Sequence, residues 1–188
     1  GDWTKTYELF LDLEGHGRED IIQDIDLSRT IGWFTSIFPV YLKITNPQDL
    51  GEAIKTIKEV LRSIPHKGIG YGILKYLIPN EPLSLKDNTL HPSISFNYLG
   101  QWDNTLDQKE KLFTFTSQSS GQSIDINNLL PHLLSINSEV RQGVLHIFWD
   151  YSTGHYKTET INTLAQGFIT RLQQLIQHCS QNHNFGYT

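Results

Sequence analysis

The residues with the clearest chemical potential are those of the hexapeptide EGHGRE, residues 14–19. Residues 7–14 are apolar at nearly every position before Glu14, which predicts a strand buried on both faces that carries this carboxylate to its end. The flanking glycines allow a tight bend there. Glu14 is then either a general base or the partner of Arg18 in a structural ion pair. Burial raises the pKa of a carboxyl and a neighbouring guanidinium lowers it, so the sequence leaves both alternatives open. His16, between two glycines, reads as a turn residue more readily than as a ligand.

A second candidate pair is Asn97 and Tyr98, in the segment FNYLG. Consecutive side chains of a strand point to opposite faces, so only one of the two faces a given pocket unless a bulge intervenes. An Asn in a buried strand must satisfy its amide group. The chemistry of this pair alone therefore favours a core hydrogen bond over a catalytic role.

Other familiar patterns are absent from the sequence. Residues 28–35 have neither metal-ligand spacing nor a phosphate-loop pattern, and HKGIGYG at 66–72 lacks the last glycine of GxGxxG. The serine nucleophile elbow and the HExxH zinc motif do not occur. No metal site or directly bound cofactor is predicted.

Composition narrows the classes of partner. A net charge of −5 gives no basic footprint for nucleic acid or an anionic membrane, and one cysteine excludes a disulfide framework. No apolar run reaches the length of a membrane span and no leader opens the chain, so we predict a cytoplasmic protein. The first residue is Gly and no Met occurs, which predicts that these 188 residues are part of a larger protein.

The elements that position these residues alternate between strands and helices. After Asn46-Pro47 an apolar stripe predicts a helix over 50–64, stopped by Pro65, and a second stripe predicts a helix over 159–179. Pro39 marks an edge or a bulge in its strand. The predicted strands cover 7–14, 33–44, 93–102, 111–116 and 143–151. The second is expected to have an irregular middle, and the last is expected to be buried. A short helix is predicted at 72–78, a turn at 66–72, and loops at 79–92 and 117–123. Two good helices on a single sheet predict an α/β lobe.

Four segments in this order resemble signature motifs of the epimerization domain of nonribosomal peptide synthetases, a branch of the condensation-domain superfamily. They are EGHGRE at 14–19, DLSRTIGWFTSIFP at 26–39, KGIGYGILKYL at 67–77 and SFNYLGQWD at 95–103. WDYSTGHYKTETI at 149–161 is similar to the segment before the last helix of that family. The first two motifs separate the epimerization branch from peptide-bond-forming condensation domains.

The resemblance implies a chloramphenicol-acetyltransferase-like lobe with a mixed, mostly antiparallel sheet and packed helices. Members of the family have two such lobes, with an HHxxxDG motif on the first, and none of the eight histidines here forms an HH pair. Residues 1–188 are therefore predicted to be the C-terminal lobe, with the N-terminal lobe absent and the isolated chain inactive.

The implied function is inversion from L to D at the Cα of an aminoacyl or peptidyl thioester. The substrate rides on the phosphopantetheine arm of a peptidyl carrier protein domain, and one proton is removed and another returned. Glu14, Arg18, Asn97 and Tyr98 fall on positions of the catalytic site, while His16, Trp33 and Thr35 fall along the channel of the arm. The alternatives are a noncatalytic module that docks a carrier or partner protein, and a condensation lobe that transfers acyl groups.

Overall fold

The computed structural model describes residues 1, 3–19, 24–78, 91–101, 118, 121, 125 and 127–181. Its elements in chain order are β1 (Glu8–Gly15), β2 (Ser36–Lys43), α1 (Leu50–Ser63), a 3₁₀ segment (Pro65–Gly68), α2 (Ile69–Tyr76), β3 (Ile94–Gln101), β4 (Leu134–Arg141), β5 (Val144–Tyr151) and α3 (Thr158–Gln181). Among the described residues, no helix is long and apolar enough to cross a membrane. The predicted strand at 111–116 and most of the predicted loops at 79–92 and 117–123 lie outside the described residues.

The five strands form one mixed sheet in the order β2-β1-β3-β4-β5. The outer pairs, β1 with β2 and β4 with β5, are antiparallel and paired along their full length. The inner pairs, β1 with β3 and β3 with β4, are parallel and share fewer paired positions. Most paired residues are thus antiparallel, and the predicted fold class, a mixed and mostly antiparallel α/β lobe with packed helices, is confirmed.

The core lies on one face of this sheet, and one cluster of it lies under α3. Leu134 and Ile136 of β4 pack against Ile161 of α3, and these three side chains are buried. Trp149 of β5 meets Phe168 of α3 edge to face, with ring centroids 5.9 Å apart. The predicted stripe of the last helix is therefore confirmed as a packing face.

The first helix also matches its prediction. Asp49 caps α1 by accepting a hydrogen bond from the backbone N–H of Glu52 at 2.9 Å, and Pro65 follows the helix end at Ser63. The short helix α2 begins at Ile69, earlier than predicted, because most of the glycine-rich turn is helical.

Three sequence predictions about strands are corrected. β1 is not buried on both faces, since Leu11 is its one buried residue. β5 is not a buried strand either: it forms one edge of the described sheet, and Val144, Leu145 and Phe148 are exposed. β2 has no irregular middle, because Pro39 sits in unbroken register opposite Asp12. Pro39 is tolerated there because β2 is the other edge strand.

Strand β4 was not predicted. It joins β5 through a two-residue turn at Gln142 and Gly143, whose φ angles of 52° and 72° are those of a hairpin turn. The dipeptide Gln-Gly between two alternating segments was the available signal.

Candidate active site

Glu14 lies one residue before the end of β1, on the face of the sheet opposite α3. Its side chain is half-buried and accepts a hydrogen bond from the Asn97 side-chain amide of β3, with 2.9 Å between Nδ2 and Oε2. Alternation along parallel neighbours places Asp12, Glu14, Ser95 and Asn97 on this same face. The sheet therefore presents an oriented carboxylate on a polar surface.

Two opposing influences act on Glu14. Partial burial raises the pKa of its carboxyl above the ordinary value, because removal from water disfavours the charged form, and the nearby His132 imidazole lowers that pKa. Burial is the larger of the two. Glu14 consequently holds its proton more tightly than a solvated glutamate, which suits a group that must take and return a proton.

His132 and Asp12 form a pair that the sequence predictions missed. The His132 Nε2 atom lies 2.7 Å from Asp12 Oδ2, and the two side chains are 11% and 14% exposed. Asp12 shares the face of Glu14 by strand alternation, which the sequence could have indicated. His132 had no such signal, because it precedes the unpredicted strand β4 and its partner is 120 residues away.

Arg18 does not curl back to Glu14. Among the ion pairs of the described residues, none joins these two side chains. The guanidinium instead donates to the backbone carbonyls of Leu27, at 2.6 Å, and Gly32, at 3.3 Å, and lies 4.3 Å above the Phe34 ring. The alternative of a structural Glu14–Arg18 ion pair is therefore wrong for this geometry, and Arg18 fastens the segment 27–34 to the end of β1.

Gly17 allows the turn after β1 to approach the segment 27–34 closely. Its φ is +67°, and a Cβ on it would stand 1.5 Å from the Phe34 carbonyl oxygen. Only glycine fits such an approach without moving the backbone. The second glycine of EGHGRE is thus required by the contact between two motifs that are separate in the sequence.

His16 lies in the turn, as predicted, and is exposed. Its Nδ1 accepts a hydrogen bond from the Arg18 backbone N–H at 3.0 Å, and its Nε2 lies 3.2 Å from Glu19. Glu19 also binds Lys67 Nζ at 2.9 Å, which ties the turn to the 3₁₀ segment. His66, Lys67 and Gly68 there all have positive φ values, of 45°, 50° and 83°. The KGIGYG motif therefore packs beside EGHGRE.

The structure separates the remaining predicted site residues. Tyr98 points away from Asn97, as strand alternation requires, and is 54% exposed. The register of β3 shifts after Tyr98, too late to turn its side chain toward Glu14. Trp33 is 91% exposed and Thr35 is half-buried, and no described hydrogen bond or ion pair joins either of them to Glu14.

A groove among the described residues lies elsewhere. Its volume is about 440 Å³, and it runs between α1 and α3, lined by Ile54, Leu175, Ile176, Cys179 and Ser180. It holds no group suited to acid–base chemistry apart from a single exposed thiol. In the part of the chain that the structure describes, no three His, Cys, Asp or Glu side chains are arranged to hold a metal ion.

Known proteins resemble this sequence over nearly its whole length. A family model described as the condensation domain matches residues 1–184. Gramicidin S synthase 1 of Brevibacillus brevis is 41% identical over 191 residues, which cover 97% of this chain and 17% of that protein. Bacitracin synthase 2 of Bacillus licheniformis is 44% identical over 171 residues, which cover 91% of this chain and 6% of that protein.

A solved structure is also similar. The crystal structure of the epimerization domain from the third module of tyrocidine synthetase B superposes with a TM-score of 0.83 at 42% identity. The match covers 95% of this chain and 39% of that one. The chain therefore spans well under half the length of each of these similar proteins.

Proposed function

Because this chain belongs to the condensation-domain family of the nonribosomal peptide synthetases, as its motifs predicted, we propose that it is part of an epimerization domain. The domain inverts L to D at the Cα of an aminoacyl or peptidyl thioester, carried on the phosphopantetheine arm of a carrier protein. The observation that carries this proposal is Glu14 itself, half-buried and hydrogen-bonded to Asn97 at the end of β1. The similarity to a solved epimerization domain supports it.

In the proposed reaction, the Glu14 carboxylate takes the Cα proton. The C–H bond breaks, an O–H bond forms on Glu14, and the electron pair moves into the thioester carbonyl to leave an enolate. A proton then returns to the opposite face of Cα from a second donor. Glu14 releases its proton to solvent and the second donor regains one from solvent, which restores the starting state. The burial that raises the pKa of Glu14 makes its conjugate acid less costly to form.

The other predicted site residues have separate roles in this proposal. Asn97 holds the carboxylate in one orientation through its amide. Arg18 acts at one remove in this proposal, by fastening the segment 27–34 beside the turn. Trp33, Thr35 and His16 remain predicted contacts of the arm, and Tyr98 a predicted hydroxyl donor whose described position faces away from Glu14.

The first test compares two carboxylates on the same face of the sheet. The complete domain containing this chain is incubated with a carrier-bound L-aminoacyl thioester in D₂O, and the D:L ratio and deuterium at Cα are measured. Glu14→Gln should reduce inversion by about 10²- to 10⁴-fold, the contribution of a positioned acid–base group. Asp150→Asn, on β5, should leave it unchanged.

Two outcomes contradict this proposal. Inversion retained in Glu14→Gln would exclude Glu14 as the base, and loss of inversion that parallels loss of thermal stability would mark Glu14 as structural. The 188-residue chain alone should be inactive, because the second donor is proposed to lie outside it. Turnover by the chain alone would show that its site is already complete.

A second candidate function is acyl transfer, since the matching family model is the condensation domain. It predicts a new amide product when a donor thioester and an acceptor thioester are supplied together. Amide formation without any change at Cα would favour this candidate over inversion.

A further inference from the structure

The orientation of Glu14 depends on where Asn97 is held, because the Asn97 amide donates to the Glu14 carboxylate. Backbone pairing between β1 and β3 covers two positions and ends at Leu13 with Phe96. It therefore stops one residue before the level of Glu14 and Asn97, where the link between the strands is the hydrogen bond between these two side chains. Pairing with β1 does not by itself fix Asn97 at this level.

Strand β4 holds Asn97 from the other side. Asn97 and Tyr98 lie in register with Asn137 and Ser138, and the register shifts after Tyr98. Gly100, with a φ of 84°, lies within this irregularity. Asn97 is thus next to the end of the regular pairing, where the ladder constrains the backbone least.

Ser138 supplies a further hydrogen bond at this position. Its Oγ donates to the Asn97 backbone carbonyl oxygen, with 3.1 Å between the two atoms. Ser138 lies on the helix-covered face of β4, in alternation with Leu134 and Ile136, and is 4% exposed. A hydroxyl at such a site is costly unless it has a partner, and little water can reach it. The hydroxyl is therefore committed to the Asn97 carbonyl.

We propose that Ser138 is a positioning residue for the site: its hydroxyl holds the Asn97 backbone so that the Asn97 amide meets the Glu14 carboxylate. The two hydrogen bonds meet in one residue, from Ser138 Oγ to the Asn97 carbonyl oxygen and from Asn97 Nδ2 to Glu14 Oε2. A buried side chain on one face thereby orients a carboxylate on the other. The effect on turnover rests on the proposed function, whereas the coupling of the two hydrogen bonds does not.

Labelled asparagine reads both hydrogen bonds in one sample. In the complete domain containing this chain, asparagine carries ¹³C at the backbone carbonyl and ¹⁵N at the side-chain amide. The Asn97 signals are assigned by their absence in Asn97→Gln. Ser138→Ala should move the carbonyl carbon signal upfield, because that oxygen loses a hydrogen bond. It should also move the side-chain amide proton upfield, because the bond to Glu14 weakens.

Ile136→Val is the matched control, since Ile136 lies two residues earlier on the same face of β4. It removes one methyl group, at a cost in stability similar to the loss of one hydroxyl bond, and leaves the Ser138 hydroxyl in place. Neither Asn97 signal should move in this variant.

The inversion assay gives the functional result. Ser138→Ala should lower kcat by about 5-fold, the equivalent of one neutral hydrogen bond, to about 10²-fold, the cost of misplacing a reacting group by about 1 Å. KM should stay unchanged, because Ser138 touches no substrate in the proposed reaction. Ser138→Thr, which keeps the hydroxyl, should retain most of the activity, and Ile136→Val should match the wild type.

Two results would overturn the proposal. One is a shifted Asn97 carbonyl with an unmoved side-chain amide in Ser138→Ala, since the hydroxyl would then not act on the bond to Glu14. The other is an equal loss of kcat in Ser138→Ala and Ile136→Val, which stability alone would explain. Ser138→Cys, which keeps the volume and has a weaker donor, gives the same readings if Ser138→Ala does not fold. Absence of inversion in the wild type would count against the proposed function, and the two Asn97 signals would still decide the positioning.

Discussion

The two faces of the sheet differ sharply although the same five strands build both. On the face under α3, Leu134 is 2% and Ile136 9% exposed, and both pack against Ile161. On the opposite face, the residues that follow these two in β4, Ser135 and Asn137, are polar. There, Ser95 and Ser135 join their hydroxyls at 3.0 Å, and Glu14 and Asn97 are joined at 2.9 Å through carboxylate and amide.

Because side chains alternate between the two faces, a residue that stabilises the core and a residue that can take part in chemistry occupy adjacent positions of one strand. One side chain contributes apolar burial, and the next contributes an oriented polar group. Substitutions at adjacent positions should therefore give opposite phenotypes, one in the free energy of unfolding and the other in turnover or titration.

The largest expected effect on stability lies on the helix-covered face. Leu134→Ala removes a buried side chain from the core cluster and should lower the free energy of unfolding by about 2–5 kcal/mol. The adjacent Ser135→Ala loses one hydroxyl bond to Ser95 and should cost about 0.5–1.5 kcal/mol. Urea unfolding followed by circular dichroism measures both. Equal losses in unfolding free energy at the two positions would show that the two faces contribute equally to stability.

The next effect concerns the turn that ends β1. Gly17→Ala combines a left-handed backbone, at about 1–2 kcal/mol, with crowding against the Phe34 carbonyl at about 1–3 kcal/mol. Gly143→Ala is the matched control: its φ is also positive, at 72°, but its Cβ meets nothing within 4 Å. Unfolding free energies should differ by the crowding alone, and amide hydrogen exchange should rise over 27–35 in Gly17→Ala only. Identical losses would mean that the two motifs are not held together at this contact.

Much of the scaffold could be predicted because its signals are local. The ends of α1 follow from its capping Asp49 and from Pro65, and α3 follows from its apolar stripe. The end of β1 was placed from the apolar run that stops at Glu14. Each of these signals spans a few neighbouring residues, so periodicity and capping chemistry are sufficient.

The site was predicted only in part because its contacts are long-range. The carboxylate and its turn were identified from EGHGRE, but the Asn97 amide that orients Glu14 lies 83 residues away and His132 lies 120 residues from Asp12. Strand β4 was not predicted because half of its residues, which lie on the face opposite α3, are Ser, Asn, Glu and Arg. These polar residues weaken the apolar pattern from which a buried strand is recognised. The alternative that paired Arg18 with Glu14 was wrong because spacing along the chain does not distinguish a carboxylate from the carbonyls of Leu27 and Gly32.

The smallest expected effect concerns two carboxylates of β1, Glu14 and Glu8, whose pKa values are shifted in opposite directions in the folded chain. Below its ordinary pKa, Glu14 is protonated in both the folded and the unfolded chain, so its ionisation then affects neither state. As the pH rises, the unfolded chain loses this proton first, because burial raises the pKa of Glu14 in the folded chain, and stability falls until the folded carboxyl also ionises. Glu14→Gln, which is neutral throughout, should therefore match the wild type in acid and exceed it slightly near neutral pH.

Glu8→Gln should behave in the reverse way. Hydrogen bonds from Lys43 and Tyr41 lower the pKa of Glu8, so its ionised form favours folding and that contribution disappears as the pH falls through the lowered value. The variant should be slightly less stable than the wild type near neutral pH and should match it in acid. Urea midpoints measured from about pH 3 to about pH 8 separate the two cases. Parallel curves for Glu14→Gln and the wild type would show that Glu14 titrates as a solvated carboxyl, and the polar face would then lack the partly dehydrated base on which the proposed chemistry depends.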